Sequence, residues 1–275
     1  MVVFPNCKIN LGLNIINKRS DGYHDLETVF YPVVIRDALE IIRNPKGNNQ
    51  SMYFSQSGLF IDGETENNLC IKAYHLLKKD YPQIPSILMH LHKVIPLGAG
   101  LGGGSADGVF ALKLIADLFQ LNISPNNLIE YALQLGSDCP YFLLNKPCFA
   151  TGRGEIMEEI ELDLSPYKIA LVNPGIHINT GWAFKNIKPH RSYHAIKDII
   201  FEPINSWKEF LINDFETPAL SLHPEIKEIK ESLYDLGAVY SSMTGTGSTV
   251  FGIFEKKMSI KLDFPKNYFS VIIDN

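Results

Sequence analysis

The amino-acid sequence predicts an α+β protein in two domains, and three features carry that expectation. Strand-type and helix-type segments are mixed without the strict alternation that a doubly wound parallel sheet requires. The strongest helical periodicity follows directly on a glycine cluster, and the character of the chain changes near Gly152 to Glu158. A chain of 275 residues is long enough for one large domain or two modest ones. They are expected as 1–152 and 153–275.

Taken in order, Lys8 to Ile16 and Thr28 to Ile35 read as strands, with Asp21-Gly22 as the turn signal between them. Pro45 to Ser51, rich in Gly, Asn and Gln, reads as a surface loop. Asn68 to Lys79 has the apolar spacing of a helix. Ile87 to Val94 alternates as a strand that ends at Pro96, with His90 and His92 on one face. Val109, Leu112, Ile115, Ala116 and Phe119 recur at three- and four-residue intervals and give one apolar helical face. Ser124-Pro125 has the form of an N-cap followed by proline at the first helical position, opening a helix over Asn126 to Leu135 that Gly136 stops. Strands return at Cys148 to Thr151, Lys168 to Asn173, Tyr240 to Met243, Thr249 to Phe254 and Phe269 to Ile273. The Lys-Glu alternation around Ile226 to Glu231 reads as a solvated helix face, and Glu255 to Tyr268 is too short for a full helix.

Composition narrows the function classes. Apolar residues make up 45 % of the chain and charged residues 20 %, an ordinary balance for a soluble globular protein. A net charge of −5 offers no general footprint for nucleic acid. Any anionic ligand must therefore be drawn by a few local cations and backbone N–H groups. Cys7, Cys70, Cys139 and Cys148 lack CxxC or zinc-ligand spacing, which points to a reducing cytoplasm. The N-terminus reaches Pro5 and Lys8 too soon for a signal-peptide core, and no apolar run is long enough to span a bilayer. A cytoplasmic monomer or weak homodimer is expected, with neither nucleic acid nor membrane as partner.

The segment Pro96-Leu97-Gly98-Ala99-Gly100-Leu101-Gly102-Gly103-Gly104-Ser105-Ala106 holds five glycines in eleven residues. It lies between a predicted strand and the start of the best predicted helix. Glycine there permits φ > 0 and close approach of the backbone to a ligand. The unpaired N–H groups of the first helical turn, with the helix dipole beside them, complete an anion cradle suited to phosphate. A Walker A loop would need Lys-Ser or Lys-Thr after the last glycine, and Ser105-Ala106 stands there instead. Gly98, Gly100 and Gly103 satisfy GxGxxG, but the acid a dinucleotide fold needs at the end of a second strand is missing; Asp117 falls inside the amphipathic helix. A merely flexible surface loop leaves the bracketing by strand and helix unexplained.

This segment resembles the second signature motif of the GHMP kinase superfamily. Lys8-Ile9-Asn10-Leu11 is similar to the first motif, and Thr244 to Phe251 to the third. Gly136-Ser137-Asp138-Cys139-Pro140 resembles the segment that carries the family's catalytic aspartate. The resemblance implies a two-domain α+β fold with ATP and substrate sites in the cleft between domains. It also implies phosphoryl transfer to an alcohol, with Mg²⁺ neutralising the β/γ-phosphates. In that chemistry Asp138 accepts the hydroxyl proton, and Lys8 keeps it ionised and offsets developing negative charge.

Superfamily members phosphorylate galactose, homoserine, mevalonate and other alcohols, so the glycine loop leaves the acceptor open. The discriminating stretch is Arg19-Ser20-Asp21-Gly22-Tyr23-His24. An aromatic ring there can stack on a nucleobase, and an adjacent imidazole can hydrogen-bond its edge. The stretch resembles the branch of the superfamily that acts on a cytidine diphosphate-linked sugar alcohol. Asn68-Leu69, Lys93, Gly152-Arg153-Gly154-Glu155 and Pro174-Gly175 extend the likeness. It implies that Tyr23, Phe30 and Phe184 frame the cytosine and His24 reads its edge. Asn10 and Thr180 would contact the sugar alcohol or its diphosphate, and Asn68 would lie near the adenine of ATP. Another alcohol as acceptor, or a nucleotide-binding regulator without activity, stands as the alternative.

Overall fold

A computed structural model describes residues 1–45, 52–59, 65–189 and 194–274. Its first strands are β1 (Val2–Val3), β2 (Asn6–Lys18), β3 (His24–Arg36), β4 (Ala38–Arg43), β5 (Met52–Gly58) and β6 (Ile87–Lys93). Then come β7 (Cys148–Thr151), β8 (Ile156–Glu159), β9 (Tyr167–Asn173), β10 (Tyr240–Met243), β11 (Val250–Glu255) and β12 (Phe269–Asp274). The helices are α1 (Leu69–Asp80), α2 (Gly103–Leu118), α3 (Pro125–Leu135), α4 (Tyr141–Leu144) and α5 (Thr180–Lys185). They continue with α6 (Ile196–Ile199), α7 (Trp207–Phe210), α8 (Glu216–Leu222) and α9 (Pro224–Asp235).

Two compact units interleave along the chain. One comprises Met1–Cys7, Ile35–Leu97 and Gly102–Asn145; the other comprises Lys8–Val34, Gly98–Leu101 and Lys146–Asn275. The division expected near residue 152 follows chain order, whereas these units exchange segments. The cause is strand pairing: β2 and β3 share a sheet with β7 and β8, in the order β2-β3-β7-β8.

In the first unit a sheet of order β1-β4-β6-β5 pairs β4 and β6 antiparallel and β5 and β6 parallel. Period-two alternation puts Ile87, Met89 and Leu91 on its buried face. His90 and His92 share the other face, where Ser55 and Ser57 of β5 hydrogen-bond their rings. Helix α2 packs on β4, α1 and α3. It buries Val109, Leu112 and Ile115 as the spacing predicts, and leaves Ala116 and Phe119 half-buried. Ser124 caps α3, its hydroxyl accepting from Asn127 N–H at 3.2 Å, with Pro125 at the first helical position. Gly136 ends that helix with φ 172°, an extended conformation open to any residue, so the stop does not depend on left-handed freedom.

Charge is also buried here. Lys93 Nζ, on the last residue of β6, donates to Asp37 Oδ2 and, at 2.7 Å, to Asp107 Oδ2 on α2. Asp37 Oδ1 accepts from Val94 N–H at 2.6 Å and Ile95 N–H at 2.9 Å. Asp107 Oδ1 has no hydrogen-bond partner among the described residues.

The second unit adds an antiparallel sheet of order β10-β11-β9-β12 to the β2-β3-β7-β8 sheet. Helix α9 turns Ile226, Ile229 and Leu233 inward, joining Ala170, Val172, Val250 and Phe254 in one apolar core. Its polar face is solvated, as expected, and carries the Lys227–Glu231 pair. No helix occupies Lys256 to Tyr268. The four cysteines are buried. No described helix is long and apolar enough to cross a membrane. The loop expected at Pro45 to Ser51 lies outside the described residues from position 46 onward. Strands β1, β4, β5 and β8 and the short helices α4 to α8 have no counterpart among the expected elements. Each is short or carries weak periodicity, so tertiary contacts decide its conformation.

Candidate active site

In the second unit, three sequence motifs converge on one hydrogen-bond network. Lys8, buried on β2, donates from Nζ to Asn10 Oδ1 at 2.5 Å and to the Gly100 carbonyl at 3.0 Å. Its main-chain N–H donates to the Leu101 carbonyl at 3.0 Å. Thr244 Oγ1 accepts from Asn10 N–H at 2.9 Å and lies 3.2 Å from both Asn10 Oδ1 and the Gly100 carbonyl. Asn10 Nδ2 donates to Thr28 Oγ1 at 2.9 Å, and that hydroxyl donates to the Gly12 carbonyl. Asn10 is thus engaged through its backbone and both ends of its amide. The Lys8 ammonium also stands 5.2 Å from the centroid of the Phe30 ring, a cation–π contact.

Glycine is required where the second and third motifs meet. Gly100 has φ +78°, and a Cβ there would stand 2.0 Å from the Thr244 carbonyl oxygen. A Cβ on Gly245, at φ +57°, would stand 3.0 Å from the Gly100 Cα. Two loops far apart in sequence therefore lie backbone against backbone. Thr249 N–H adds a bond to the Ala99 carbonyl at 3.3 Å.

The aromatic residues lie in the same unit. Tyr23 is 55 % exposed, and the Arg153 guanidinium stands 4.6 Å from its ring centroid. Its turn is fixed by Arg19, which pairs with Asp21 at 2.9 Å and Asp25 at 3.1 Å. His24 stacks on Phe184 with ring centroids 4.9 Å apart and planes inclined by 21°, and Phe184 meets Phe215 edge-on. Burial, with the Lys18 charge adding to it, lowers the His24 pKa and favours the neutral imidazole at neutral pH. Thr180 is the first residue of α5, whose N-cap Asn179 accepts from Trp182 N–H at 2.9 Å.

The remaining candidates belong to the first unit. Gly102, with φ 68°, precedes α2 and gives it no side-chain cap, and the first turn of α2 carries no acidic residue. Its leading N–H groups are thus suited to an anion. Ser105, in that turn, donates its hydroxyl to Asp138 Oδ1 at 3.0 Å. Asn68 caps α1 by accepting from Cys70 N–H at 2.9 Å. Pro96 and Leu97 also fall in this unit, so the glycine loop draws residues from both.

Sequence reasoning singled out Lys93 but missed Asp37 and Asp107, its buried partners. Neither aspartate has a local signature. An acid in the second turn of a helix reads as solvent-facing until the packing is known.

Chemically, the second unit offers a buried ammonium against a carbonyl of the glycine loop, beside an aromatic set with one neutral imidazole. The first offers helix-end amides and a carboxylate–hydroxyl pair. A cation, helix-end amides and a carboxylate are groups that phosphoryl transfer can use.

Comparison with known proteins agrees with that chemistry. The family model described as GHMP kinases N terminal domain matches residues 68–146, and the one described as GHMP kinases C terminal matches residues 188–267. In class, then, the chain is a GHMP kinase. A 4-diphosphocytidyl-2-C-methyl-D-erythritol kinase of Bacteroides fragilis is 50 % identical over 266 residues, covering 96 % of each chain. The protein of that description from Bacteroides thetaiotaomicron is 50 % identical over 270 residues, covering 98 % of each. A crystal structure of 4-(cytidine 5'-diphospho)-2C-methyl-D-erythritol kinase superposes with a TM-score of 0.78 at 30 % identity, covering 92 % of this chain and 90 % of that one. The chain belongs to the 4-diphosphocytidyl-2-C-methyl-D-erythritol kinase family.

Proposed function

We propose that this chain transfers the γ-phosphate of ATP to the 2-hydroxyl of 4-diphosphocytidyl-2-C-methyl-D-erythritol, giving the 2-phosphate and ADP. The observation that carries the proposal is identity at half of all positions over 96 % of the lengths of both chains. Likeness of that extent spans the aromatic segments as well as the nucleotide loop.

In this reading Pro96 to Ala106 wraps the triphosphate with main-chain amides, and Asn68 lies near the adenine. Asp138 takes the proton of the attacking hydroxyl. Lys8 holds the local charge balance that keeps a carboxylate ionised and offsets charge on the transferred group. Tyr23, Phe30 and Phe184 frame the cytosine. A neutral His24 presents one donor and one acceptor, which suits an edge that carries both an amine and ring acceptors. Asn10 and Thr180 lie toward the sugar alcohol and its diphosphate.

Mg²⁺ enters as part of this proposal and fits the donor set in one respect only. Among the described residues no group of three or more His, Cys, Asp or Glu side chains could hold a metal. Mg²⁺ usually keeps several waters and binds through substrate phosphates with few protein oxygens. Ser105 Oγ, in the first turn of α2, would hold it, and the ion would supply neutralisation of β/γ-phosphate charge. The same reading makes the protein a cytoplasmic monomer or weak homodimer with no nucleic-acid or membrane partner.

An ADP-release assay with three acceptors tests the substrate. Turnover is expected with the cytidine substrate and not with mevalonate or homoserine; turnover with either of those alone would overturn the proposal. Gly100→Ala tests the loop. Its Cβ has no room beside the Thr244 carbonyl, so ATP affinity measured by calorimetry is expected to fall about tenfold or more.

A further inference from the structure

Asn213-Asp214-Phe215-Glu216 belongs to none of the motifs above, yet it grips the third glycine loop. The segment begins at an isolated parallel bridge between Leu13 and Asn213. Leu13 N–H donates to the Ile212 carbonyl at 2.9 Å, and Asp214 N–H to the Leu13 carbonyl at 2.8 Å. Asp214 Oδ2 also accepts from Ile15 N–H at 2.7 Å, so β2 holds the segment in place.

Two side chains then reach the end of β10. Asn213 is fully buried, and its Nδ2 donates to the Met243 carbonyl at 2.7 Å and the Gly245 carbonyl at 2.9 Å. Its Oδ1 accepts from Phe215 N–H at 3.0 Å. Glu216 holds the preceding stretch of the strand. Its Oε1 accepts from Met243 N–H at 2.7 Å and the Ser242 hydroxyl at 2.9 Å, while Oε2 pairs with Lys230 at 2.6 Å.

Met243 is the last residue of β10. Beyond it the chain turns into the glycine loop, and buried carbonyls there need donors from elsewhere. A primary amide satisfies two carbonyls at once, which a hydroxyl cannot. Thr244 sits between the carbonyls held by Asn213, and its hydroxyl is the point where this loop meets Gly100 and Asn10. A fully satisfied buried network of this kind fixes one backbone geometry.

We propose that Asn213 and Glu216 are positioning residues for nucleotide binding. They fix residues 242–245 so that Thr244 holds the Gly100 carbonyl, and so set the amides of Gly98 to Leu101. The inference rests on the reading of that loop as a phosphate site.

The test is calorimetric binding of a nonhydrolysable ATP analogue, which does not depend on the acceptor alcohol. Asn213→Ser keeps one donor and Asn213→Ala none, and a graded loss is expected, reaching about tenfold for the alanine. Tyr240→Phe is the matched control. It removes a buried hydrogen bond from the same strand, to the Leu211 carbonyl at 2.8 Å, and leaves the bonds of Asn213 and Glu216 to residues 242–245 in place. It is expected to lower Tm much as Asn213→Ser does while keeping affinity within about twofold. Glu216→Gln retains an acceptor for Met243 N–H and is expected to recover most of the affinity lost in Glu216→Ala. Undiminished affinity in folded Asn213→Ser and Asn213→Ala, or an equal loss in Tyr240→Phe, overturns the inference. Wild-type affinity in Gly100→Ala would instead remove the reading of the loop on which it rests.

Discussion

Asp138→Asn is expected to lower kcat by about 10²–10⁴-fold, the usual reach of a positioned general base, with KM for both substrates near that of the unaltered chain. The substitution is nearly isosteric. The amide oxygen can still accept from the Ser105 hydroxyl, which lies 3.0 Å from the carboxylate, so the turn after α3 keeps its shape. What disappears is the ability to accept a proton. ADP release with saturating cytidine substrate measures the effect. Near-normal turnover in a folded variant would remove Asp138 from the proton transfer.

A second large effect is expected in stability. Lys93→Met leaves Asp37 and Asp107 without their shared cation in a region where all three side chains are almost completely buried. Removing one partner of a buried ion pair typically costs about 3–5 kcal/mol, because the remaining charge can neither be solvated nor paired. Burial works against the Lys93 ammonium, yet the two carboxylates outweigh it and raise its pKa. Urea denaturation of the variant should show that loss; an unchanged midpoint would mean the cluster contributes nothing.

Asp107 gives the same cluster a pH signature. Burial raises its pKa from 3.8 to about 7, with Lys93 opposing and the Asp37 charge adding to the rise. The folded chain therefore holds this proton more tightly than the unfolded chain does. The group's contribution to stability is complete below 3.8 and is lost as pH rises through about 7. Asp107→Asn should flatten the fall in Tm between about pH 4 and about pH 7 that this group causes. An identical pH profile in the variant would count against it.

Much of this was legible in the sequence where local physics decides. The apolar face of α2, the Ser124-Pro125 start of α3 and the strands β2, β7, β9, β10 and β11 follow from spacing and caps that neighbouring residues enforce. The backbone of the glycine loop was legible because a run of glycines between strand and helix suits positive φ and close backbone approach, and Gly98, Gly100 and Gly102 all have positive φ. The aromatic and histidine candidates came from resemblance, and the structure adds contacts that no spacing implies, such as His24 on Phe184 and Arg153 on Tyr23. Asp37, Asp107, Asn213 and Glu216 were illegible for a common reason. A polar residue reads as solvated until its partner, 14 to 56 positions away along the chain, is known to lie against it.

The exchange of segments between the two units bears on how the protein is made. Residues 8–34 are synthesised well ahead of β7, the strand that pairs with β3, which begins only at Cys148. At roughly 5–20 residues per second, β3 waits on the order of ten seconds for its neighbour. Throughout that interval its hydrogen-bonding edge is open to any other extended chain nearby. Slower translation of the intervening stretch lengthens the exposure, and a chaperone bound to the nascent β2-β3 segment would cover the open edge until β7 emerges.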